Sequence, residues 1–330
     1  NIYMEQSAVR DGVTAEEVKG ILLGMASGQE TLLGYFRRFI RNFEKRVGIN
    51  RTVGSLRAYS NAYSHIERFL QAQYKLSDIP FSALDRSFID KYDLYLRTER
   101  NLAPGTIINL TVQLKTIVGE AIADGIITAS PFMGYEPMRP KHVQKYLTAE
   151  ELHRIMTTPL HRQTLYHVRD MFLFSCFTGI PYGDMRLLTK DNLCLAEDGI
   201  WWIKSARQKT KIEFEIPLLD LPLQILKKYS GTAPGDKLLP MYCNSTLNLY
   251  LKEIARICHI DRPLVFHAGR HTYATEITLS HGVPLETVSR MLGHSQIETT
   301  QIYAKVTDEK IDADTKALNR KISERFSVVI

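Results

Sequence analysis

Cysteine is scarce in this chain of 330 residues, and neither a long apolar run nor a leader-like start is present. The four cysteines, at positions 176, 194, 243 and 258, lie too far apart for a CxxC metal knuckle, and their scarcity favours a reducing cytoplasm. No stretch approaches the roughly 18 consecutive apolar residues of a membrane span, and residues 1–10 lack the layout of a signal peptide. Composition therefore excludes a disulfide scaffold, and no membrane partner is expected.

What the chain does contain is ordinary globular composition, with 44% hydrophobic and 24% charged residues. At roughly 150 residues a domain, its length predicts about two domains. Lys and Arg (42) exceed Asp and Glu (36), which leaves a net charge of +6. This charge is compatible with a polyanionic partner but is weak evidence alone.

Apolar residues recur at helical spacing between residues 31 and 130. The two clearest stripes comprise Leu56, Tyr59, Tyr63, Ile66 and Leu70, and then Ile107, Leu110, Leu114, Ile117 and Ala121. A shorter helix is expected over 88–96, and Pro104 breaks the chain before the second stripe. The pattern predicts a helical bundle over 31–130. Residues 1–30, which open at Asn1 rather than methionine, are interpreted as an N-terminal extension or a linker remnant.

Positive charge is concentrated near the start of this bundle. The cluster comprises Arg37, Arg38, Arg41, Lys45, Arg46 and Arg51. Only Glu44 is set against it, so the cluster is suited to DNA phosphates. A solvated helix face is the alternative, and the charges alone favour it.

The composition changes over 131–147, which is broken by Pro131, Gly134, Pro137 and Pro140. We predict a linker there. Thr148 and Glu151 have the spacing of a capping box, so a second domain over 148–330 is expected to begin with a helix.

The second domain carries mixed signals. Residues 200–203 and the alternating Ile212, Phe214 and Ile216 predict a hairpin whose turn spans 205–211. Helical runs flank this hairpin, and a capping box at Ser295 and Glu298 is expected to start a late helix. The predicted fold class is mainly α with a small β-sheet, an α+β protein.

His267 and Arg270 are three residues apart, which on a helix points both side chains to one face. An imidazole beside a guanidinium that binds two oxygens is suited to a phosphate in transition. An ordinary helix whose His and Arg bond to neighbours is slightly favoured for this pentapeptide alone. His267 and His271 also have the spacing of zinc ligands, but Ala268 stands where a metalloprotease helix needs a carboxylate base, which argues against zinc.

Lys209 and Tyr303 carry weaker signals. Lys209 lies in the predicted hairpin turn, from which a flexible ammonium can reach a ligand, although a turn lysine is usually just solvated. Tyr303 is a phenol with an ordinary pKa of about 10, and only surrounding cations would favour its phenolate. Taken alone, it is most often a packed or surface aromatic.

The order and spacing of these residues together are specific. A lysine in a hairpin turn, a His-x-x-Arg-His-Thr motif, a Leu-Gly-His motif and a tyrosine nine residues later appear as Lys209, 267–272, 292–294 and Tyr303. This combination closely resembles the catalytic domain of the tyrosine recombinases, the phage integrase family. The bundle over 31–130 resembles, more loosely, the family's core-binding, SAM-like domain, so the resemblance covers most of the chain from about residue 30.

Position 181 departs from the family pattern. Most members have arginine there, after a stretch that 174–180 resembles, whereas Pro181 has neither a charge nor a backbone donor. This departure resembles the integrases of conjugative and mobilisable transposons, in which another arginine on the preceding helix is thought to substitute. By that resemblance Arg169, about three helical turns earlier, is the expected substitute and Arg186 the second choice. Lys209 is preferred over Lys211 as the family's lysine.

The resemblance implies a site-specific recombinase or integrase, serving a mobile element. Tyr303 would attack the scissile phosphate to give a 3′-phosphotyrosyl bond, and Lys209 would protonate the departing 5′ oxygen. A free 5′ hydroxyl from a second duplex would reverse the step. Because ester exchange retains the free energy of the broken bond, no energy cofactor is expected. No metal ion is expected either, because the implied cationic side chains already supply positive charge at the phosphate.

The remaining roles are also implied by the resemblance. Arg270 and Arg169 would stabilise charge on the non-bridging oxygens. His267 would assist proton transfer, and His294 would donate a hydrogen bond to a phosphate oxygen.

The expected partner is double-stranded DNA carrying a recombination site, in the bacterial cytoplasm. The resemblance implies two domains that close around the duplex, four protomers on two duplexes, and a tail over 308–330 that packs on a neighbour. Accessory DNA-bending proteins are a further possible partner. Binding is expected to weaken as salt rises, since phosphate contacts supply most of the affinity.

Two other functions stay open. One is a catalytically silent DNA-binding protein that keeps the fold but has lost cleavage together with the arginine at position 181. The other is a type IB topoisomerase, which relaxes DNA by the same chemistry as a monomer and without a specific site.

Overall fold

A computed structural model describes residues 15, 18–20, 29–138, 145–303 and 308–323 of the chain. The chain divides into two units, Asn1–His142 and Val143–Ile330. Each unit has its own cluster of buried apolar residues.

Helices make up the first unit between residues 29 and 138. They are α1 Leu32–Glu44, α2 Val53–Phe69, α3 Arg86–Thr98 and α4 Pro104–Ala123. Thr52 caps α2 and Asp85 caps α3, each accepting a backbone N–H from the first turn with its side chain. The two predicted stripes lie on α2 and its continuation and on α4, where Ile107 and Leu114 are fully buried. The predicted helical bundle is therefore confirmed.

Aromatic side chains fill the core of this unit. The ring of Phe69 packs against four other rings, those of Tyr74, Phe88, Tyr92 and Tyr95, at centroid distances of 5.1–5.7 Å. A π-helical turn over Leu70–Tyr74 extends α2 and brings Tyr74 into this group. Phe132 and Tyr135, from the segment predicted as a linker, are buried in the same core. Burial of each such ring contributes about 2–3 kcal/mol.

The second unit contains more and shorter helices. They are α5 Ala149–Thr157, α6 Gln163–Thr178, α7 Tyr182–Met185, α8 Asp220–Lys228, α9 Asn244–Ile257, α10 Ala268–Thr272, α11 Leu285–Leu292, α12 Glu298–Gln301 and α13 Asp308–Ser323. The predicted capping box of Thr148 and Glu151 is present at the start of α5. A π-helical turn over Tyr273–Thr278 continues α10, and 3-10 turns cover Phe81–Ala83, Lys190–Asn192 and Leu279–His281.

A three-stranded antiparallel sheet lies in the second unit, with strands β1 Leu193–Leu195, β2 Trp201–Ala206 and β3 Glu213–Pro217 in that order. Ile203 pairs with Ile216, and both side chains are buried against the core. The predicted hairpin is present as β2 and β3, and the fold class is mainly α with a small sheet, as expected. None of the described helices combines the length and apolarity needed to cross a membrane.

Candidate active site

The guanidinium of Arg270 is buried and held by main-chain carbonyls. Its Nη1 donates to the carbonyl of Gly179 at 2.8 Å, and its Nη2 donates to the carbonyl of Leu292 at 2.7 Å. Burial chiefly, with the charge of Arg207, lowers the pKa of Arg270 to about 10, so the group stays cationic at neutral pH. Among the described residues no carboxylate lies at ion-pair distance from it, which leaves its charge available to an anion.

Close packing of α6 against α10 brings Gly179 to this arginine. Gly179 ends α6 with a φ of +69°, and a Cβ there would lie 2.5 Å from the Tyr273 ring. A Cβ on Gly269 would lie 2.9 Å from Oγ of Ser175. Glycine is therefore required at both positions for the two helices to pack this closely.

His294 follows α11 and links Arg270 to α12. Its Nε2 lies 2.8 Å from Nη2 of Arg270, and its Nδ1 lies 2.7 Å from Oγ1 of Thr300. A guanidinium can only donate, so Nε2 accepts and the imidazole carries its proton on Nδ1. Burial, with the charges of Arg270 and Arg207, lowers the pKa of His294 to about 4 and keeps the ring neutral.

Arg207 lies in the turn after β2 and shares a hydrogen-bond acceptor with Arg270. Its Nη1 donates to the same carbonyl of Leu292 at 3.0 Å. Its Nε forms an ion pair of 2.7 Å with Oδ2 of Asp184, and only 16% of its side chain is exposed. Gly293 makes room for it, because a Cβ there would lie 2.9 Å from Cγ of Arg207.

Sequence reasoning missed Arg207. Its tertiary contacts, an aspartate on α7 and a carbonyl at the end of α11, carry no local pattern. The available signal was its position in the same turn as Lys209, two residues earlier.

Tyr303 follows α12 and packs among the histidines. Its ring contacts His271 at a centroid distance of 5.1 Å and stacks on His294 at 6.3 Å. The residue is 7% exposed, and burial raises the pKa of its phenol while the nearby Arg270 opposes that rise. The hydroxyl is therefore protonated in the free protein and lies beside a buried cation.

His267 and His271 face each other on one side of α10, with ring centroids 4.9 Å apart. Burial is the main cause that lowers the pKa of His271 to about 4 and lowers that of His267 as well. The positive charge of Lys145 contributes to both shifts. In the described part of the chain no group of three potential metal-ligating side chains forms around this pair.

Lys209 lies exposed at the hairpin turn. The turn itself is fixed, because the N–H of Gln208 donates to Oδ1 of Asp184 at 2.9 Å. Asp184 therefore holds both Arg207 and the turn that carries the lysine.

Arg169 is not brought to this cluster. It lies in the first half of α6, where its Nη1 donates to the carbonyls of Met156 and Thr158 and its guanidinium covers the ring of Tyr166. Ten residues, or about 15 Å of helix, separate it from Gly179, which is farther than an arginine side chain reaches. Arg186, at the C-terminal end of α7, is exposed.

The basic cluster of the first unit lies on the surface of α1 and the turn after it. Its side chains are exposed, and several rest on aromatic rings, such as Arg51 over Phe43 and Arg37 over Tyr63. Arg38 forms an exposed ion pair with Glu30 at 2.7 Å. The aromatic contacts hold flexible side chains in place while their charges stay in solvent.

Comparison with known proteins gives two family matches. The Phage integrase family model matches residues 145–310, and the Phage integrase SAM-like domain matches residues 31–137. Tyrosine recombinase XerD of Listeria monocytogenes serovar 1/2a is 25% identical over 273 residues, covering 78% of this chain and 89% of its own length. Tyrosine recombinase XerD of Staphylococcus saprophyticus is 26% identical over 297 residues, covering 86% and 96%.

Solved structures share the fold. The Tn1549 transposon integrase bound to transposon right end DNA aligns with a TM-score of 0.68 at 18% identity, covering 88% of this chain and 99% of its own. A lambda integrase dimer bound to a COC′ core site aligns with the same TM-score and identity, covering 84% and 100%. The 145–310 match covers half of the chain and includes Arg207, Arg270, His294 and Tyr303, and the chain therefore belongs to the phage integrase family, the tyrosine recombinases, which break and rejoin DNA strands.

Proposed function

We propose that this recombinase acts on specific sites in double-stranded DNA through a covalent 3′-phosphotyrosyl bond to Tyr303. The observation that carries the proposal is the position of this phenol, packed against His271 and His294 beside the buried charge of Arg270. Burying a cation that has no carboxylate partner costs free energy unless an anion pairs with it. A scissile phosphate supplies that anion.

The chemistry is an exchange of esters. The Tyr303 oxygen attacks phosphorus, the bond from phosphorus to the 5′ oxygen breaks, and the strand leaves with a 5′ hydroxyl. The phenol proton passes to a neutral imidazole, for which we propose His267, and Lys209 gives a proton to the departing oxygen. His267 is suited to accept because desolvation of its ring and the charges of Arg270 and Arg207 lower its pKa, which favours the neutral form.

We propose Arg207, rather than Arg169 or Arg186, as the second arginine of the phosphate clamp. Arg207 and Arg270 donate to one carbonyl, that of Leu292, so their guanidinium groups already converge. A phosphate would replace this carbonyl as the shared acceptor and would leave each side chain anchored by its other bond, Arg207 to Asp184 and Arg270 to Gly179.

The tautomer of His294 bears on its proposed role. In the free protein Nε2 is an acceptor bound to Arg270. Donation to a phosphate oxygen requires a proton on that nitrogen, which the ring takes from solvent water as negative charge builds on the phosphate. We therefore propose that His294 becomes a donor during the reaction rather than before it.

The proposed assembly is a homotetramer on two duplexes, with accessory DNA-bending proteins where the site requires them. The related lambda integrase has been solved as a tetramer bound to a Holliday junction, and the Tn1549 integrase on DNA of a transposon end. The apolar side chains of Ile311, Leu318 and Ile322 on α13 are exposed, which supports a neighbour-binding tail. We propose service to a mobile element in the bacterial cytoplasm, and all four cysteines are free, as a reducing compartment requires.

The domain division is likewise a proposal, with a core-binding domain over 31–130, a linker over 131–147 and a catalytic domain over 148–330. The basic cluster of the first unit would contact phosphates, and its exposed charges support this role.

The test is covalent capture on a suicide duplex that carries the joined ends of the element and is nicked beside the scissile phosphate. Wild-type protein should form an adduct that survives denaturation, and Tyr303→Phe should form none while still binding the duplex. Binding without any wild-type adduct would instead indicate a silent DNA-binding protein. Equal relaxation of supercoiled plasmids with and without the site would indicate a topoisomerase.

A further inference from the structure

Thr300 is a fully buried polar residue on α12, the short helix that precedes Tyr303. Its side chain is 0% exposed, and its Oγ1 lies 2.7 Å from Nδ1 of His294. Its carbonyl accepts the N–H of Tyr303 at 3.0 Å. One residue therefore contacts both the imidazole of the site and the backbone of the tyrosine.

The direction of the side-chain bond follows from Arg270. Nη2 of Arg270 can only donate, so Nε2 of His294 accepts this hydrogen bond and the histidine proton lies on Nδ1. Nδ1 therefore donates to Oγ1 of Thr300, and three side chains form one directed string from Arg270 through His294 to Thr300. The string ends on α12, three residues before Tyr303.

We propose that Thr300 is a positioning residue for strand cleavage, which accepts the Nδ1 proton of His294, holds that imidazole ring in place and couples the tyrosine segment to Arg270. The proposal rests on the proposed function, in which Arg270 and Tyr303 act on the same phosphate. It adds a residue that touches neither the phosphate nor the phenol oxygen.

The need for such a residue follows from the shortness of α12. A helix of four residues does not hold its own orientation, so the place of Tyr303 depends on tertiary contacts. When Nε2 of His294 becomes a donor to the phosphate, it no longer accepts from Arg270, and the ring loses one of its two observed hydrogen bonds. The bond from Nδ1 to Thr300 then holds the ring plane during the reaction.

Isosteric variants separate the hydroxyl from its packing. Thr300→Val keeps the shape and removes the acceptor, whereas Thr300→Ser keeps the acceptor and removes a methyl group. In single-turnover cleavage of the suicide duplex, Thr300→Val should be slower by about tenfold, the equivalent of one lost hydrogen bond, with unchanged DNA affinity. Thr300→Ser should cleave within about twofold of wild type. The reverse order would show that Thr300 only fills space and would overturn the proposal.

A second comparison tests the route through His294. In a His294→Ala background, Thr300→Val should cause no further loss of rate, because the imidazole that it positions is absent. An equal loss in both backgrounds would overturn the proposal. Imidazole ¹⁵N shifts of the free protein should show the Nδ1–H tautomer at His294 in both proteins, because Arg270 donates to Nε2 in both, and a displaced Nδ1 resonance in Thr300→Val, where that N–H has lost its acceptor. Absence of any wild-type adduct would refute the proposed function itself, which the tautomer measurement distinguishes from a failure at Thr300.

Discussion

Arg207, which we propose as the second arginine of the phosphate clamp, reaches its place through tertiary contacts that its sequence position does not reveal. Pro181 cannot supply charge, and the helix that precedes it points Arg169 at the carbonyls of Met156 and Thr158. Arg207 arrives from the β2–β3 turn because Asp184, three residues after Pro181, forms an ion pair with it. The pattern around 181 predicted that a substitute was needed, whereas its identity depended on contacts between distant segments.

Arg207→Ala should therefore abolish most cleavage. Loss of one donor to a developing phosphate charge costs about 3 kcal/mol, so the single-turnover rate should fall by about 100-fold or more. Arg169→Ala, the matched control from α6, should leave the rate within about threefold of wild type. The suicide-duplex assay measures both rates. A larger loss of rate in Arg169→Ala than in Arg207→Ala would identify Arg169 as the second arginine of the clamp.

Lys209 and Lys211 occupy the same turn, and the leaving-group chemistry can separate them. Lys209→Ala should slow cleavage by about 100-fold, because general acid catalysis by a positioned group contributes at least that much. A duplex with sulfur in place of the 5′ bridging oxygen should restore the rate, since a thiolate leaves without a proton. Lys211→Ala should behave as wild type on both duplexes. If Lys211→Ala were slow and the sulfur-containing duplex restored its rate, Lys211 rather than Lys209 would be the general acid.

At the scale of helices and strands, the sequence predicted the elements that depend on interactions between residues close together in the chain. The stripes on α2 and α4, the capping box at Thr148 and the β2–β3 hairpin all depend on short-range spacing, and all are present. The predicted capping box of Ser295 and Glu298 is wrong. The N-cap of α12 is Ile297, and no side chain caps it, because the contacts of Thr300 and Tyr303 place that helix.

Strand β1 and the π-helical turns were also missed. Three residues carry too little pattern to identify a strand, and β1 exists because Leu193 pairs with Ile203. The π turn after α10 accommodates the buried ring of Tyr273 beside Gly179, a tertiary demand that periodicity does not express.

Gly179→Ala tests the contact between α6 and α10. A residue other than glycine is strained at a φ of +69°, and its Cβ would overlap the Tyr273 ring. The free energy of unfolding of the second unit should fall by about 3 kcal/mol, as measured by denaturant titration. Gly119→Ala is the contrasting control, because Gly119 lies inside α4 with open space around it and alanine should stabilise that helix by up to about 1 kcal/mol. If Gly179→Ala left the free energy of unfolding unchanged, the close packing of α6 against α10 would not require glycine at this position.

At the scale of the whole molecule, charge is arranged to receive an anion at a cost in stability. The second unit buries Arg270 and most of Arg207 beside three histidines, His267, His271 and His294, whose pKa values are lowered. A protein selected only for stability would replace such a group with apolar side chains. The sequence could identify most members of this group, because their spacing is specific. It could not show that the histidines are neutral, because that depends on their surroundings in the folded protein.

Those protonation states make stability depend on pH in a defined direction. His271 and His294 have pKa values of about 4 in the folded protein, below the value of about 6.5 for an unfolded chain. Between these values the unfolded state binds more protons, so the free energy of unfolding falls as pH falls from 6.5 towards 4. Both side chains are partly exposed, and solvent screening reduces the expected loss to about 1 kcal/mol for each histidine between pH 6.5 and pH 5.

Denaturant titrations at these two pH values measure the loss. The window lies above the titration of Glu151, whose pKa the neighbouring Arg262 lowers, so carboxylates of this kind do not contribute. His271→Gln should remove about half of the pH dependence that the two histidines share, whereas His153→Gln, a change at an exposed histidine on α5, should retain all of it. A slope of opposite sign would mean that these imidazoles are charged in the folded protein, which would exclude the neutral His294 that accepts a hydrogen bond from Arg270.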